Sequence, residues 1–395
     1  MLVNGGKIVC RATPKMLFVG DVVYAGMVAE EMPEIMGIVL MNDFSCKFSR
    51  SEALNIAFEN WESDFNSLYP NGYTANDVKY EAEDDTNALA VLNYTSGTTS
   101  DPKGVMIPYR ALLINMKFAC ANFPLQPGHT VVSILPMAHM FGQAFDVLYP
   151  ITSGSHVFVM PGKPSPTRLI SGLGTVRPYM FLTVPLVIEK IFKSKVFPVI
   201  RKNPAKLLLK IPGLRRIVLN KIKSSLLTAF GNNFSVGVII GGAALNREVE
   251  DLLKLMKFPY TVGYGMTECG PIISYCDKAD YVKYSCGKYV GSVDIRIDSS
   301  NPYRVLGEIQ VKGDAVMHGY YNNEEATSAA FTSDGWLRTG DMGIFDRMGN
   351  LFIKGRCKNM ILTASGQNIY PEEIEDKINN LPYVVESLVV GRKNA

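Results

Sequence analysis

Short apolar runs and helical periodicities alternate over most of this chain. Met16–Val19 is the first run that predicts a strand. Residues 88–93 predict another, followed by a polar loop and a helical stretch over 109–121. Residues 130–135 predict a strand, 141–149 a helix and 156–160 a strand. A strand over 179–184 stops at Pro185, and a helix runs from there to about Phe192. Residues 234–240 lead into Gly241-Gly242. Asn246 then sits where a helix N-cap belongs, with Val249, Leu252, Leu253 and Met256 on one face. Strand–loop–helix units at this spacing predict an α/β fold, a large domain of mostly parallel sheet with flanking helices. After about residue 285 the texture changes to short strands and turns, which predicts a small β-rich subdomain over 285–355. Within it, residues 346–350 predict a hairpin turn between strands at 343–345 and 351–354.

Composition fits that picture. The 395 residues allow two or three domains. Apolar residues make up 47% and charged residues 19%, which argues against a disordered or fibrous chain. The longest charge-free stretch, 118–145, is broken by Pro124, Pro127, Gly128 and Pro136, so it does not predict a membrane span. The seven cysteines form no CxxC pair and no cluster with histidine. That argues against zinc and a disulfide framework and points to a reducing cytoplasmic setting.

A formal net charge of +3 is too small to imply nucleic-acid binding. It is unevenly placed, however. Residues 190–223 hold eleven Lys and Arg and no Asp or Glu, whereas the rest of the chain has 29 basic against 37 acidic residues. Leu219, Ile222, Leu226 and Phe230 recur there at helical spacing beside Lys221 and Lys223. A solvated helical connection fits this segment, and so does peripheral contact with an anionic membrane at its inner face.

Three constellations carry chemistry. The first is Tyr94-Thr95-Ser96-Gly97-Thr98-Thr99-Ser100-Asp101-Pro102-Lys103-Gly104, directly after a strand. Its hydroxyls and backbone N–H groups suit phosphate oxygens, and Lys103 adds a cation. A proline before the lysine, and no Ser or Thr after it, separate it from a Walker loop. The second pairs Gly241-Gly242-Ala243-Ala244 with Gly263-Tyr264-Gly265-Met266-Thr267-Glu268. Both follow apolar strands, so both belong at strand carboxyl ends, where open α/β sheets bind ligands. Tyr264 offers a flat face for a base, Thr267 a hydroxyl, and Glu268 either a hard oxygen for Mg²⁺ or a helix cap. The third runs through Thr339-Gly340-Asp341, Lys354-Gly355-Arg356-Cys357-Lys358 and Gly366-Gln367-Asn368-Ile369-Tyr370-Pro371-Glu372-Glu373. Asp341 can accept two hydrogen bonds from a ribose diol.

In this order, from about Met16 onward, these motifs resemble the adenylate-forming superfamily of acyl-CoA synthetases, luciferases and adenylation domains. Gly-Tyr-Gly-Met-Thr-Glu and Gly-Gln-Asn-Ile-Tyr-Pro-Glu-Glu are most similar to bacterial long-chain fatty-acid–CoA ligases. The resemblance implies two half-reactions. A fatty-acid carboxylate attacks the α-phosphate of ATP, giving acyl-AMP and pyrophosphate, and CoA then takes the acyl group and releases AMP.

By the same resemblance, Thr95, Ser96, Gly97, Thr98, Thr99 and Lys103 hold the distal phosphates. Gly242, Ala243, Tyr264 and Gly265 frame the adenine, and Thr267 touches the α-phosphate. Glu268 binds Mg²⁺, and Asp341 and Arg356 hold the ribose. His139, in Pro136-Met137-Ala138-His139, gates the acyl pocket or packs in the core. Lys103, Thr267, Glu268 and His139 are the expected catalytic group. Lys358 is the expected hinge between a large domain over 1–355 and the start of a C-terminal lid over 356–395.

There are departures from the family pattern. Ser100 stands where the family usually has glycine. Lys377 and Lys393, beyond the hinge, lack the glycine-flanked setting of the family's catalytic lysine. The chain is therefore expected to start late and stop early relative to the family, with turnover impaired. An aryl-CoA ligase, an adenylation domain, and a nucleotide-binding protein without turnover remain open. Acyl chain length and oligomeric state are not legible.

Overall fold

A computed structural model describes residues 14–20, 34–78, 85–95, 102–162, 165–233, 235–362 and 368–379, with a few positions up to 391. The chain divides into two compact units. One comprises residues 1–88, 94–104 and 320–323, and the other 89–93, 105–319 and 324–395.

The first unit holds a three-stranded sheet ordered Met16–Val19, Gly37–Leu40, Cys46–Ser49. The first pair is parallel and the second antiparallel. Ile35, Ile38, Val19 and Leu40 close a small core over it. Helix Glu52–Leu68 starts at Ser51, whose hydroxyl accepts the Leu54 N–H. Gly37 is where this helix meets the sheet. A Cβ there would stand 2.6 Å from Leu54 Cδ2 and 2.9 Å from Met16 Sδ.

The second unit is built on a five-stranded sheet ordered Tyr260–Val262, Gly237–Ile240, Met180–Thr183, Thr130–Ser133, His156–Val159. Every pair in it is parallel. Successive side chains alternate between two cores. Phe181, Val238 and Ile240 enter one, with Leu173, Leu219, Leu226 and Leu253 from helices on that face. Met180, Leu182 and Ile239 enter the other, with Phe118, Phe123, Phe145 and Tyr149. Burial on both faces is why these strands read as unbroken apolar runs in the sequence. The Asn246 cap is present, its side chain accepting the Val249 N–H at 3.2 Å.

Beyond the parallel sheet come two antiparallel ones. One joins Tyr264–Gly265, Ile272–Tyr275 and Lys288–Tyr289, and the other Asp294–Asp298, Gly307–Lys312, Leu337–Phe345 and Leu351–Arg356. The expected hairpin joins the last two. The Asp346 carboxylate accepts the N–H groups of Met348 and Asn350 at 2.9 and 2.8 Å, and Gly349 takes a φ of +81°.

Two elements differ from the sequence expectation. A strand not expected from the sequence, Lys103–Pro108, opens on Lys103 itself. The expected helix over 141–149 is a π-helix at Gly142–Leu148, continued by a helical turn at Tyr149–Thr152. Gly142 lets that helix start tight against the segment that follows strand Thr130–Ser133, since a Cβ would stand 2.7 Å from the Pro136 carbonyl oxygen. Among the described residues, no helix is long and apolar enough to cross a membrane.

Candidate functional site

The candidate site lies at the carboxyl ends of adjacent parallel strands in the second unit. Gly241 continues strand Gly237–Ile240 and donates its N–H to the Thr183 carbonyl at 3.0 Å. Gly263 continues strand Tyr260–Val262 and donates to the Ile240 carbonyl at 2.9 Å. Gly242 then turns the chain with a φ of +91°, which few residues with a Cβ adopt. Gly265 has no room for a side chain, because a Cβ would lie 2.1 Å from the Pro271 carbonyl oxygen. These glycines bring bare backbone to a narrow cleft with a cavity volume of about 40 Å³. His139, Phe141 and Phe145 face it from the π-helix side, and Tyr264 and Tyr275 from the strands.

Tyr264 fixes one wall. Its ring is buried, and its hydroxyl donates to Asp341 Oδ2 at 2.7 Å. Asp341 stands opposite Arg356 in the antiparallel ladder, and Arg356 Nε lies 3.3 Å from Asp341 Oδ1. Thr339 holds the irregular stretch of strand Leu337–Phe345 that leads to Asp341. Its hydroxyl accepts the Asp341 N–H at 3.1 Å and donates to the Ile309 carbonyl at 2.7 Å. The Asp341 side chain is only 10% exposed and that of Arg356 is 57% exposed, so a buried carboxylate is bordered by a cation that reaches solvent. Burial pushes the Asp341 carboxyl above its ordinary value, opposed by the Tyr264 hydrogen bond and the Arg356 charge. Burial, and then the Asp341 charge, push Tyr264 well up, so it stays a donor.

Thr267 and Glu268 lie in a buried turn, Thr267–Cys269. Asn115, fully buried in helix Tyr109–Asn122, braces this turn. Its amide donates to the Cys269 and Ala111 carbonyls at 3.3 and 2.7 Å, and its oxygen accepts the Ile272 N–H at 3.0 Å. Sequence reasoning did not single out Asn115. Its one signal is an amide inside the apolar helical run Leu112-Leu113-Ile114-Asn115-Met116. Among the described residues, no three His, Cys, Asp or Glu side chains gather as a metal site. A single hard carboxylate such as Glu268 suits Mg²⁺ that arrives with phosphate and water ligands.

His139 is exposed at the cleft and does not pack in the core. It accepts the Phe141 N–H on Nδ1 at 3.3 Å, and partial desolvation pushes its pKa down. The adjoining Ala138 carbonyl accepts from Asn93 Nδ2 at 2.8 Å. The expected site residues are thus partly gathered. Gly242, Tyr264, Gly265 and His139 share one cleft, and Asp341 and Arg356 are tied to it through Tyr264. Ala243 follows at the exposed rim. Thr95 and Lys103 belong to the other unit, where Lys103 Nζ lies 4.8 Å over the Tyr320 ring. Ser96, Gly97, Thr98 and Thr99 lie outside the described residues, as do Gly366 and Gln367. Lys358 sits in the single turn Cys357–Asn359 after the last long strand.

Residues 7–321 match the family model described as AMP-binding enzyme, and the chain belongs to that family. It is 30% identical over 329 residues to the human long-chain-fatty-acid–CoA ligase ACSBG2, covering 78% of this chain and 49% of that one. Among solved structures, it is similar to ATP-bound MatB from Rhodopseudomonas palustris. That match has a TM-score of 0.74 at 22% identity, over 99% of this chain and 68% of that one. It is also similar to the AMP complex of the o-succinylbenzoate–CoA synthetase MenE from Bacillus subtilis. There the TM-score is 0.66 at 22% identity, over 100% of this chain and 80% of that one. The chain spans about half the length of the curated relatives it matches.

Proposed function

We propose that this chain carries the nucleotide- and acid-binding part of an acid–thiol ligase that activates a long-chain fatty acid as its adenylate. The observation that carries this reading is the Tyr264–Asp341–Arg356 arrangement beside a cleft lined with aromatic rings. A carboxylate and a guanidinium suit a ribose, the Tyr264 ring suits a base, and an apolar cleft suits an acyl chain. In the first half-reaction a carboxylate oxygen of the acid bonds to the α-phosphorus of ATP and pyrophosphate leaves. In the second, the CoA thiolate bonds to the acyl carbon and AMP leaves.

Negative charge builds on the phosphates in the first step, so fixed cations and donors there lower the barrier. Thr95, Ser96, Gly97, Thr98, Thr99 and Lys103 take the distal phosphates in this reading. Gly242, Ala243, Tyr264 and Gly265 take the adenine, Thr267 the α-phosphate, and Glu268 the Mg²⁺ that accompanies ATP. His139 gates the acid, its neutral imidazole bordering the cleft without adding a charge. Lys358 is the hinge on which residues beyond 355 move between the half-reactions.

The test is pyrophosphate release by the full-length protein containing this sequence, with acetate, octanoate, palmitate and benzoate compared. Each methylene buried in the cleft contributes about 0.8 kcal/mol, so kcat/KM should climb from acetate to palmitate. The rings of Phe123, Phe141, Phe145 and Tyr275 around a short cleft also favour a second reading, an aromatic acid. Benzoate outrunning palmitate would decide for it. Lys103→Ala should weaken ATP by about tenfold and leave AMP nearly unchanged, because a cation on the distal phosphates has nothing to hold in AMP. Calorimetry with both nucleotides checks this, and equal losses would remove Lys103 from that role.

A further inference from the structure

We infer that the surface formed by residues 199–217 docks on an anionic phospholipid bilayer. This surface stands apart from the nucleotide cleft and does not depend on which acid the cleft takes. Residues 190–223 carry eleven basic and no acidic residues, and the structure shows how they are displayed. The chain here is broken into short helical pieces, Phe197–Ile200 and Ala205–Leu208, before helix Pro212–Ala229. The long helix is anchored by Leu219 and Leu226, which are buried in the core on the helix face of the parallel sheet. At 3.6 residues per turn, Ile217 projects nearly opposite Leu219. Residues 210–217 are all exposed.

What this outer face presents is a mixture of apolar and basic side chains. Leu207, Ile211 and Ile217 are 57%, 51% and 65% exposed. Lys206, Lys210, Arg215 and Arg216 are interleaved with them and exposed. Arg201 is set apart from this group. It pairs with Glu248 at 2.9 Å and lies over the Phe197 ring.

Charge alone would suit any polyanion. Large aliphatic side chains interleaved with the charges fit a partner with an apolar interior beneath an anionic skin, which is a bilayer interface. A phosphate backbone offers nothing to Ile211 or Ile217. The geometry also excludes a spanning mode for these elements, because the pieces are short and the long helix is held by its core face. Docking is therefore peripheral: aliphatic tips enter the acyl boundary and the lysine and arginine stems reach the phosphates.

The experiment is sedimentation of the purified protein with vesicles of phosphatidylcholine alone or with about one-third phosphatidylglycerol. Anionic vesicles should bind at least about tenfold more tightly than neutral ones, and raising salt from about 0.05 to about 0.5 M should remove most of that gain. Two sets of substitutions separate the components. Lys206→Glu, Lys210→Glu, Arg215→Glu and Arg216→Glu together should abolish the preference for anionic lipid. Leu207→Ser, Ile211→Ser and Ile217→Ser together should weaken vesicle binding at least about tenfold while leaving heparin binding unchanged. All seven positions are exposed, and an unchanged thermal midpoint verifies that each variant folds. Equal binding to neutral and anionic vesicles would overturn the inference. So would full vesicle binding by the triple serine variant, which would make the surface a general polyanion site.

Discussion

Replacing Asp341 with alanine should cost about a hundredfold in AMP affinity. A carboxylate that bridges a ribose diol accepts two hydrogen bonds, and bonds to a charged group contribute about 1.5–3 kcal/mol each. The carboxylate can do this while keeping its present partners. Its two oxygens offer about four acceptor sites, and Tyr264 and Arg356 each engage one oxygen. The control is 2′,3′-dideoxy-AMP, which lacks the diol and should lose little on the same substitution. Equal losses for both ligands in calorimetry would mean that Asp341 merely holds Tyr264 in place.

The pH dependence gives a second check on Asp341. Burial raises its pKa, so as pH falls the carboxylate takes up a proton earlier than an exposed aspartate would. Protonation removes the attraction for Arg356 and one acceptor for the diol. AMP affinity should therefore fall on the acid side, and that limb should vanish in Asp341→Asn. Tyr264→Phe isolates the support from the ligand contact. It removes one hydrogen bond to the carboxylate, of about 1.5–3 kcal/mol, and leaves both acceptors for the diol, so it should cost less AMP affinity than Asp341→Ala.

Particular residues show what the sequence could and could not disclose. The parallel sheet was legible because strands buried on both faces, such as Met180–Thr183 and Gly237–Ile240, spell continuous apolar runs. The glycine motifs were legible because each follows such a run, and strand ends are where an α/β sheet presents backbone to ligands. Strand Lys103–Pro108 was not, because Val105, Met106 and Ile107 make too short a run beside a polar loop and a helix. The strands Gly37–Leu40 and Cys46–Ser49 escaped for the same reason of length. The bond between Tyr264 and Asp341 joins positions 77 residues apart, and no periodicity in either segment encodes that pairing. Only the resemblance placed them at one site. Asn115 escaped because its role is to satisfy backbone groups of a distant turn, and those groups have no sequence signature.

Asp146 should lower the stability of the second unit progressively as pH rises from about 4 to about 7. Asp146 is fully buried in the π-helix Gly142–Leu148, between residues that face the cleft and residues that fill the core. Its Oδ2 accepts the N–H groups of Ile134 and Leu135, both at 3.2 Å, which ties the helix to the segment leading into His139. Its Oδ1 is buried without a hydrogen bond of good geometry, and the Ser133 side chain beside it softens the penalty without cancelling it. Burial wins, and the pKa is pushed up to about 7 from an ordinary 3.8. Below pH ~4 the group is protonated in both folded and unfolded chains and contributes no slope. Between about 4 and 7 the unfolded chain gives up a proton that the folded one keeps, so unfolding is favoured by ~1.4 kcal/mol per pH unit. Asp146→Asn is neutral in both states and removes this slope. Its amide can still accept from Ile134 and Leu135, while its NH₂ lacks an acceptor at a pH-independent cost of about 1–3 kcal/mol. Urea unfolding of both proteins at about pH 5 and pH 7.5 should show the asparagine variant gaining about 2–3 kcal/mol on the wild type across that interval. A stability difference that stays constant with pH would mean that Asp146 ionises as an exposed aspartate does, and that its burial is relieved when the protein is in solution.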